Sequence, residues 1–383
     1  MSSPFLTALK AKKEGLHKTV TVVTTKDLKT GKWMRYPETR DTETGSYVLS
    51  VDSGMETGEP SHLAAGKFHE RGFTDLKPKI YSEKDKKWVV AVRTEDFLAG
   101  DESDTKRKRS GPTLINDRLK CIQYNIWFDE ENRESRTTAL LRLLSKYDAD
   151  CITLQEVTLA VLNQLKAESY IRENYILSDT SGSTFASYGA IIMIKKQTMD
   201  RLLVLESMTL YKLPTKMARW FVCAKLSIPT ISDDGSIVFN VSSPKVYVGT
   251  AHFESLRANT DIRIAQIEKI FLTNDCILPV KDSCIVAGDF NFDSISPERE
   301  RIPEAVQDVW ATLNPGEKEL HPSGYTRRNC RLDKALCRSS HSVLLLPESM
   351  TVIGKEKVCI DGTDLKISDH NGLYYTVDVF LNE

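Results

Sequence analysis

A layered α/β domain preceded by a small strand-rich module is the fold class that the sequence predicts, on three observations. From residue 119 onward, short apolar runs of strand character alternate with stretches whose apolar residues recur at helical spacing, the pattern of buried strands with helices laid on the sheet. Several of those runs end on a polar side chain. Residues 1–98, by contrast, hold only short alternating segments between Gly, Thr, Asp and Glu turns.

Bulk properties set the frame. With 383 residues, 40% of them hydrophobic, the chain can bury a large core and divides into one large domain plus a smaller one. Lys and Arg number 52 against 53 Asp and Glu, so any polyanion must be met by a local patch and not by an overall field. No 18-residue apolar run and no signal-like hydrophobic segment is present, so a soluble intracellular protein without a membrane partner is expected. The eight cysteines show no CxxC or Cys/His metal spacing. Cys121, Cys151, Cys223 and Cys284 lie in apolar runs and are expected to be reduced core residues.

In chain order, Val20–Val23, Tyr47–Val51 and Trp88–Val92 read as strands of a module spanning 1–98. It carries no catalytic constellation, and His62, His69 and Glu70 match no metal spacing. Residues 99–118 read as a charged linker. Its run Lys106-Arg107-Lys108-Arg109 can serve nuclear import, touch a phosphate backbone, or simply be solvated. Leu119–Asn125 reads as a strand and Leu140, Leu141, Leu143 and Leu144 as a helix stripe. Cys151–Gln155 then reads as a strand ending at Glu156, and a helix is expected through Val157, Val161, Leu162 and Leu165. Strands are predicted at Tyr188–Lys195, Trp220–Ile228, Lys245–Ala251, Cys284–Ala287 and Gly372–Phe380, with a helix over 260–272.

The chemistry gathers at strand ends. Gly288-Asp289-Phe290-Asn291 follows the run Cys284–Ala287, and residues i and i+2 of extended chain point the same way, so Asp289 and Asn291 share a side. Asn125, Glu156, His252 and His370 likewise follow strands, and Tyr188 begins one. Oxygen ligands and two histidines at the ends of different strands are how a sheet rim becomes an active site. Glu156 offers a hard anionic oxygen and Asn125 an oxygen or an amide donor, which suits Mg²⁺. Without a soft-ligand cluster, Zn²⁺ is not favoured. Asp289 can orient or deprotonate water, His370 and His252 can donate to phosphoryl oxygens, and Asp333 can hold His370 in one tautomer. The reaction suggested is phosphoester hydrolysis, because a charged phosphodiester needs a metal and donors before a base is useful.

The ordered set Tyr124-Asn125, Leu154-Gln155-Glu156, Gly288-Asp289-Phe290-Asn291 and Ser368-Asp369-His370 resembles the endonuclease/exonuclease/phosphatase family over about 119–382. A narrower likeness, to phosphodiesterases that cut 5′-phosphotyrosyl links between protein and DNA, rests on Thr215–Arg219, His252–Arg257 and Asp308-Val309-Trp310. The resemblance implies a two-layer α/β sandwich of mixed sheets flanked by helices, with the site at one rim. It implies Glu156 and Asn125 on the metal, with Asp369 tuning its hydration, and Mg²⁺ as cofactor with Mn²⁺ able to substitute. Asp289 would activate water, Asn291 anchor it, and His370 contact the phosphate with Asp333 behind it. His252 would complete the pocket. Substrate would be held by Tyr188, Lys216, Arg219, Ser255, Arg257, Arg327 and Arg328, although Lys216 and Arg219 also read as a solvated loop. The implied partner is a nucleic acid with protein or peptide on its 5′ end, single-stranded or frayed. The implied location is the nucleus, with the cytoplasm as a second site.

Three positions depart from that pattern. Asp293 stands where an arginine facing DNA is expected, Arg327 and Arg328 replace aromatic and acidic residues after Tyr325-Thr326, and Lys334-Ala335 follow Asp333. Arg327, Arg328 and Arg331 are expected to restore the charge lost at Asp293. Alternatives are an abasic-site endonuclease or 3′-end nuclease of the same family, a lipid or inositol phosphatase, and an inactive nucleic-acid-binding scaffold. Residues 1–98 read either as a nucleic-acid-binding accessory or as a protein-interaction module.

Overall fold

A computed structural model describes residues 72–91, 117–201, 203–228, 230–231, 237–238, 243–273, 275–293, 295–315, 324–360 and 362–381, with the backbone of four earlier strands. Those earlier strands, Lys18–Lys26, Trp33–Asp41, Tyr47–Leu49 and Met55–Thr57, form one antiparallel sheet. The basic run at 106–109 and the residues His62, His69 and Glu70 lie outside the described residues.

Two larger sheets make the body. The eight-stranded sheet runs in the order Val343–Ile353, Gly372–Leu381, Asp117–Asn125, Cys151–Thr158, Tyr188–Lys195, Tyr175–Leu177, Lys79–Ser82, Lys87–Val90. The seven-stranded sheet runs Gln307–Asp308, Asp333–Arg338, Ser283–Asp289, Lys245–Ala251, Trp220–Ser227, Val204–Lys212, Phe73–Leu76. Strands of residues 73–90 thus pair onto an edge of each large sheet, so hydrogen bonding crosses the division expected between 1–98 and 119–383.

Alternation explains how the sheets pack. Along Asp117–Asn125, Leu119 and Cys121 meet the other sheet, in one buried cluster with Ile285, Ala287, Val246, Val248, Ala335 and Cys337. Ile122 and Tyr124 point the opposite way, into a second cluster with Leu140 and Leu144 of the Arg133–Tyr147 helix and Val161 and Leu165 of the Leu159–Ala167 helix. The outer face of the other sheet buries Cys284 and Val286 against Ile267, Ile270 and Phe271 of the Thr260–Phe271 helix. The result is two mixed sheets face to face with helices outside them, the sandwich expected. Burying a Leu or Ile side chain stabilises by about 1.5–3 kcal/mol, so these three clusters set the fold.

Each large sheet contains one parallel pair: Asp117–Asn125 beside Cys151–Thr158, and Lys245–Ala251 beside Ser283–Asp289. A helix connects the strands of each pair, as parallel strands require. Carboxyl ends of parallel strands are where open α/β sheets bind ligands, and here two such ends face each other. Differences from expectation are local. Val157 lies in the strand, and the helix starts at Leu159 with Thr158 Oγ1 capping the Val161 amide at 3.3 Å. Cys121, Cys151, Cys223, Cys284 and Cys337 are free thiols in the core. No helix among the described residues is long and apolar enough to cross a membrane.

Candidate active site

On the Asp117–Asn125 strand the inward positions are 119, 121, 123 and 125, so Asn125 is the last inward residue. On Ser283–Asp289 they are 285, 287 and 289, which makes Asp289 the counterpart across the interface. Asp333 pairs with Asp289 in register, and the inward alternation of Ala335 and Cys337 reaches it as well. His252 continues the neighbouring strand and forms a parallel bridge with Asp289. Gly288 is required here: a Cβ would sit 2.1 Å from the Ala251 carbonyl oxygen.

Glu156 breaks the alternation. Gln155 already occupies the inward position, and a register shift opposite Gly189–Ile191 leaves Glu156 with φ 61°. That bulge re-aims its carboxylate into the site. Asn291 is also left-handed, at φ 54°. Of nine non-glycine residues with positive φ among the described residues, six are candidates or lie within two residues of one: Trp127, Glu156, Ala218, Leu256, Asn291 and Arg328. Such conformations cost about 1–3 kcal/mol each and persist where surrounding contacts over-determine them.

Hydrogen bonds join these groups. Asn125 Nδ2 donates to Glu156 Oε1 at 3.0 Å and to Asp289 Oδ2 at 2.9 Å, while its Oδ1 accepts from the Trp127 amide at 3.1 Å. Glu156 Oε2 accepts from the Phe128 amide at 2.9 Å. Asp289 Oδ1 accepts from the Asn291 amide at 2.9 Å. Two histidines flank Asp289 Oδ2, His252 Nε2 at 3.5 Å and His370 Nε2 at 3.7 Å. His370 Nδ1 lies 2.7 Å from Asp333 Oδ2. Ser368 lies in the loop just before the Gly372–Leu381 strand and ties that loop to Asp117–Asn125 by donating to the Asn125 carbonyl at 2.7 Å and accepting the His370 amide at 3.1 Å.

The two histidines titrate in opposite directions. Burial opposes protonation of His370, but the Asp333 and Asp289 carboxylates and the Asp333 hydrogen bond outweigh it and hold its pKa at about 9. Burial and the charge of Arg219 drive His252 well below the ordinary imidazole range, so it is neutral at pH 7. Burial, then the negative charge of Asp369, raises the Glu156 carboxyl. The neutral imidazole of His252 and the crowded negative charge at Glu156 favour a cation between them, whereas protonated His370 is itself positive and serves as a donor. One ligand atom from each of Glu156, His252 and Asp289 fits within 4.8 Å of the others, as does one from each of Asp289, Asp333 and His370. His252 Nδ1 is buried without a hydrogen bond and lies 3.7 Å from Glu156 Oε1. Carboxylates with a neutral imidazole and no thiolate suit a hard divalent ion. Asn125 donates to both carboxylates in this arrangement, so serving as an oxygen ligand would require its amide to turn over.

The substrate-side candidates separate into two groups. Arg219 is buried, donates from Nη1 to Tyr188 Oη at 3.2 Å and from Nη2 to Ser255 Oγ at 2.9 Å, and sits 5.5 Å from the Tyr188 ring centroid. The Tyr188 ring stacks on Phe128 at 4.7 Å, and Asn291 Nδ2 donates to the Phe253 carbonyl at 3.0 Å. These residues therefore form one wall with His252. Lys216, Arg257 and Arg328 are exposed. Arg327 is drawn to Asp369, Nη2 to Oδ2 at 2.6 Å, and so faces a site carboxylate. Arg331 departs from expectation. It is buried and its Nη1 pairs with Asp308 at 2.8 Å, so it does not supply a surface charge in place of an arginine at 293.

Sequence reasoning missed Glu254. Its buried carboxylate accepts from Thr215 Oγ1 at 2.6 Å and from the Lys216 amide at 2.9 Å, which fixes the loop carrying Arg219. A charged residue in the apolar context His252-Phe253-Glu254 was the available signal. Gln123, Gln155 and Thr250 were missed as well; they lie fully buried beneath the site.

Comparison with known proteins agrees with this geometry. Residues 122–370 match the Endonuclease/Exonuclease/phosphatase family. A solved structure of D. rerio TDP2 humanized by 14 mutations is 27% identical, covers 68% of this chain and 98% of the matched chain, and superposes with a TM-score of 0.53. D. rerio TDP2 complexed with single-strand DNA product is 25% identical, with coverages of 68% and 99% and a TM-score of 0.54. C. elegans TDP2, at 19% identity, coverages of 74% and 83% and a TM-score of 0.50, shares the fold. No curated protein matches. The family match spans well over half of the sequence and takes in Asn125, Glu156, His252, Asp289, Asp333 and His370: the chain belongs to the endonuclease/exonuclease/phosphatase family.

Proposed function

We propose that this metal-dependent phosphodiesterase hydrolyses the 5′-phosphotyrosyl bond between a protein or peptide and a nucleic-acid end, with Mg²⁺ as cofactor and Mn²⁺ able to substitute. The carrying observation is the pairing of a charged and a neutral histidine around Asp289, next to a wall built by Arg219, Tyr188 and Ser255. A water held by Asp289 and Asn291 attacks phosphorus as its proton passes to Asp289. The bond from phosphorus to the tyrosine oxygen breaks, the electron pair leaves on the phenolic oxygen, which takes its proton from solvent, and a 5′-phosphate remains on the strand. Protonated His370 donates to a non-bridging phosphoryl oxygen as charge develops, and a preorganised donor of this kind is worth about 10²–10³-fold in rate. Glu156 with Asn125 and Asp369 would hold the cation, whose chemistry is to neutralise phosphoryl charge. Arg219 supplies positive charge beside the leaving tyrosine, and exposed Lys216, Arg257 and Arg328 track the strand. The likeness to D. rerio TDP2, solved with a single-strand DNA product, supports a single-stranded or frayed end. Residues 1–98 serve as a nucleic-acid- or protein-binding accessory, and the enzyme works in the nucleus, with the cytoplasm as a second site.

The test is a Mg²⁺ titration of cleavage on a 5′-phosphotyrosyl oligonucleotide for the wild type and Glu156→Gln. The substitution keeps shape and removes ligand charge, so half-saturation should move to higher Mg²⁺ and maximal rate should fall. Equal curves would remove Glu156 from the metal site.

A further inference from the structure

Beneath the site runs a chain of buried amides. Gln123 Nε2 donates to Asp333 Oδ1 at 2.8 Å and to Gln155 Oε1 at 2.6 Å, and Gln155 Nε2 donates to Thr250 Oγ1 at 2.9 Å. Gln123, Gln155, Thr250 and Asp333 are each 0% exposed. Both Gln123 amide hydrogens are spent on neighbours, while its Oε1 is buried with no hydrogen-bond partner. Leaving an acceptor unpaired in the core is unfavourable, and an apolar residue of similar volume would avoid that cost. Local rules of this kind are broken where a site needs the group.

What Gln123 supplies is the second half of the Asp333 environment. One carboxylate oxygen faces His370 Nδ1 at 2.7 Å and the other receives the Gln123 amide. The Asp333 amide is in turn fixed through Thr326 Oγ1 at 3.1 Å. Without Gln123 the Oδ1 end of a fully buried carboxylate loses this donor, and rotation about the terminal torsion lets either oxygen approach His370. We infer that Gln123 is a positioning residue, which locks the Asp333 carboxylate so that His370 is presented to the phosphate in one orientation. For its kinetic consequence this rests on the phosphodiesterase reading above.

The experiment uses the full chain with Gln123→Met, which keeps an unbranched side chain of similar volume, and Gln123→Thr, whose β-branch suits a strand but whose hydroxyl is too short to reach Asp333. Each should lower kcat by ~10–100-fold with KM nearly unchanged, as loss of a supporting contact does. Combined with Asp333→Asn, neither should add a further loss. Thr250→Val, two steps away, should lower the melting temperature while keeping kcat within about 3-fold of wild type. In parallel, NMR should show the His370 Nδ1 proton as a downfield resonance in the wild type, displaced in both Gln123 variants and not in Thr250→Val. Unaltered kcat in a folded Gln123 variant, losses additive with Asp333→Asn, or an equal loss in Thr250→Val overturns the inference. A wild type without phosphotyrosyl turnover overturns the functional reading instead, and the NMR arm still decides the positioning role: an undisplaced resonance rejects it.

Discussion

At the scale of single residues the proposed hydrolysis turns on Asp289 and on the Asp333–His370 pair. Asp289→Asn keeps the size of a side chain that is 1% exposed but cannot accept the water proton. Turnover should fall by ~10²–10⁴-fold with the circular dichroism spectrum intact, a pairing of results that steady-state kinetics and spectroscopy check together. His370 gives a prediction in pH. Its pKa is raised in the folded chain to about 9 from an ordinary 6.5, so the imidazolium is fully formed below pH 6.5 and is lost as pH rises through 9. The rate should hold across neutrality and fall on an alkaline limb near pH 9. Asp333→Asn removes the main charge sustaining that proton, so the limb should move to lower pH. In a double-mutant cycle of kcat/KM, Asp333→Asn with His370→Ala should be barely worse than His370→Ala alone. Additive losses with an unmoved limb would return Asp333 to a packing role. Asp289 was legible in the sequence because it lies just past the apolar run Cys284–Ala287, whereas Asp333 opens its strand after Arg331-Leu332 and was legible only as a carboxylate able to partner His370. Gln123 was not, since within Cys121-Ile122-Gln123-Tyr124-Asn125 nothing marks an inward polar residue as hydrogen-bonded to a carboxylate 210 positions away.

At the scale of elements, two parallel strand pairs bring their carboxyl ends together and so define the rim. Within the second pair, the close approach of Lys245–Ala251 to Ser283–Asp289 depends on Gly288, whose absent Cβ leaves room for the Ala251 carbonyl. Gly288→Ala should therefore push apart the strands carrying Asp289 and His252, at a cost of about 1–3 kcal/mol for overpacking. Denaturant unfolding should show that loss together with reduced activity, and a stability equal to wild type would mean that the strands adjust freely. Helices and strongly apolar strands could be read from periodicity, as at Arg133–Tyr147, Tyr188–Lys195 and Gly372–Leu381. Strands with polar interruptions could not. Val343–Ile353 contains Pro347-Glu348-Ser349 at a register shift, and as an edge strand it tolerates the proline. Asp333–Arg338 begins and ends on charges because its first residue is a site group and Arg338 reaches the carbonyls of Pro279 and Asp282. The turn of Glu156 into the site is also invisible in the sequence, because a bulge depends on the partner strand's register.

For the whole molecule, residues 73–90 join both large sheets at their edges, which no local pattern in a polar, lysine-rich segment announces. The layered class was readable because three sets of apolar positions have to be covered, and helices on two outer faces cover two of them. Substrate choice by this rim can be decided in one assay. Equal concentrations of a 5′-phosphotyrosyl oligonucleotide, a duplex with one internal abasic site and a plain 3′-ended strand are offered together to the full chain, with Mg²⁺ and with chelator. Mg²⁺-dependent release of tyrosine, a 5′-phosphorylated product and preference for the phosphotyrosyl substrate are expected. Preferred cleavage at the abasic site or digestion from the 3′ end would contradict that expectation.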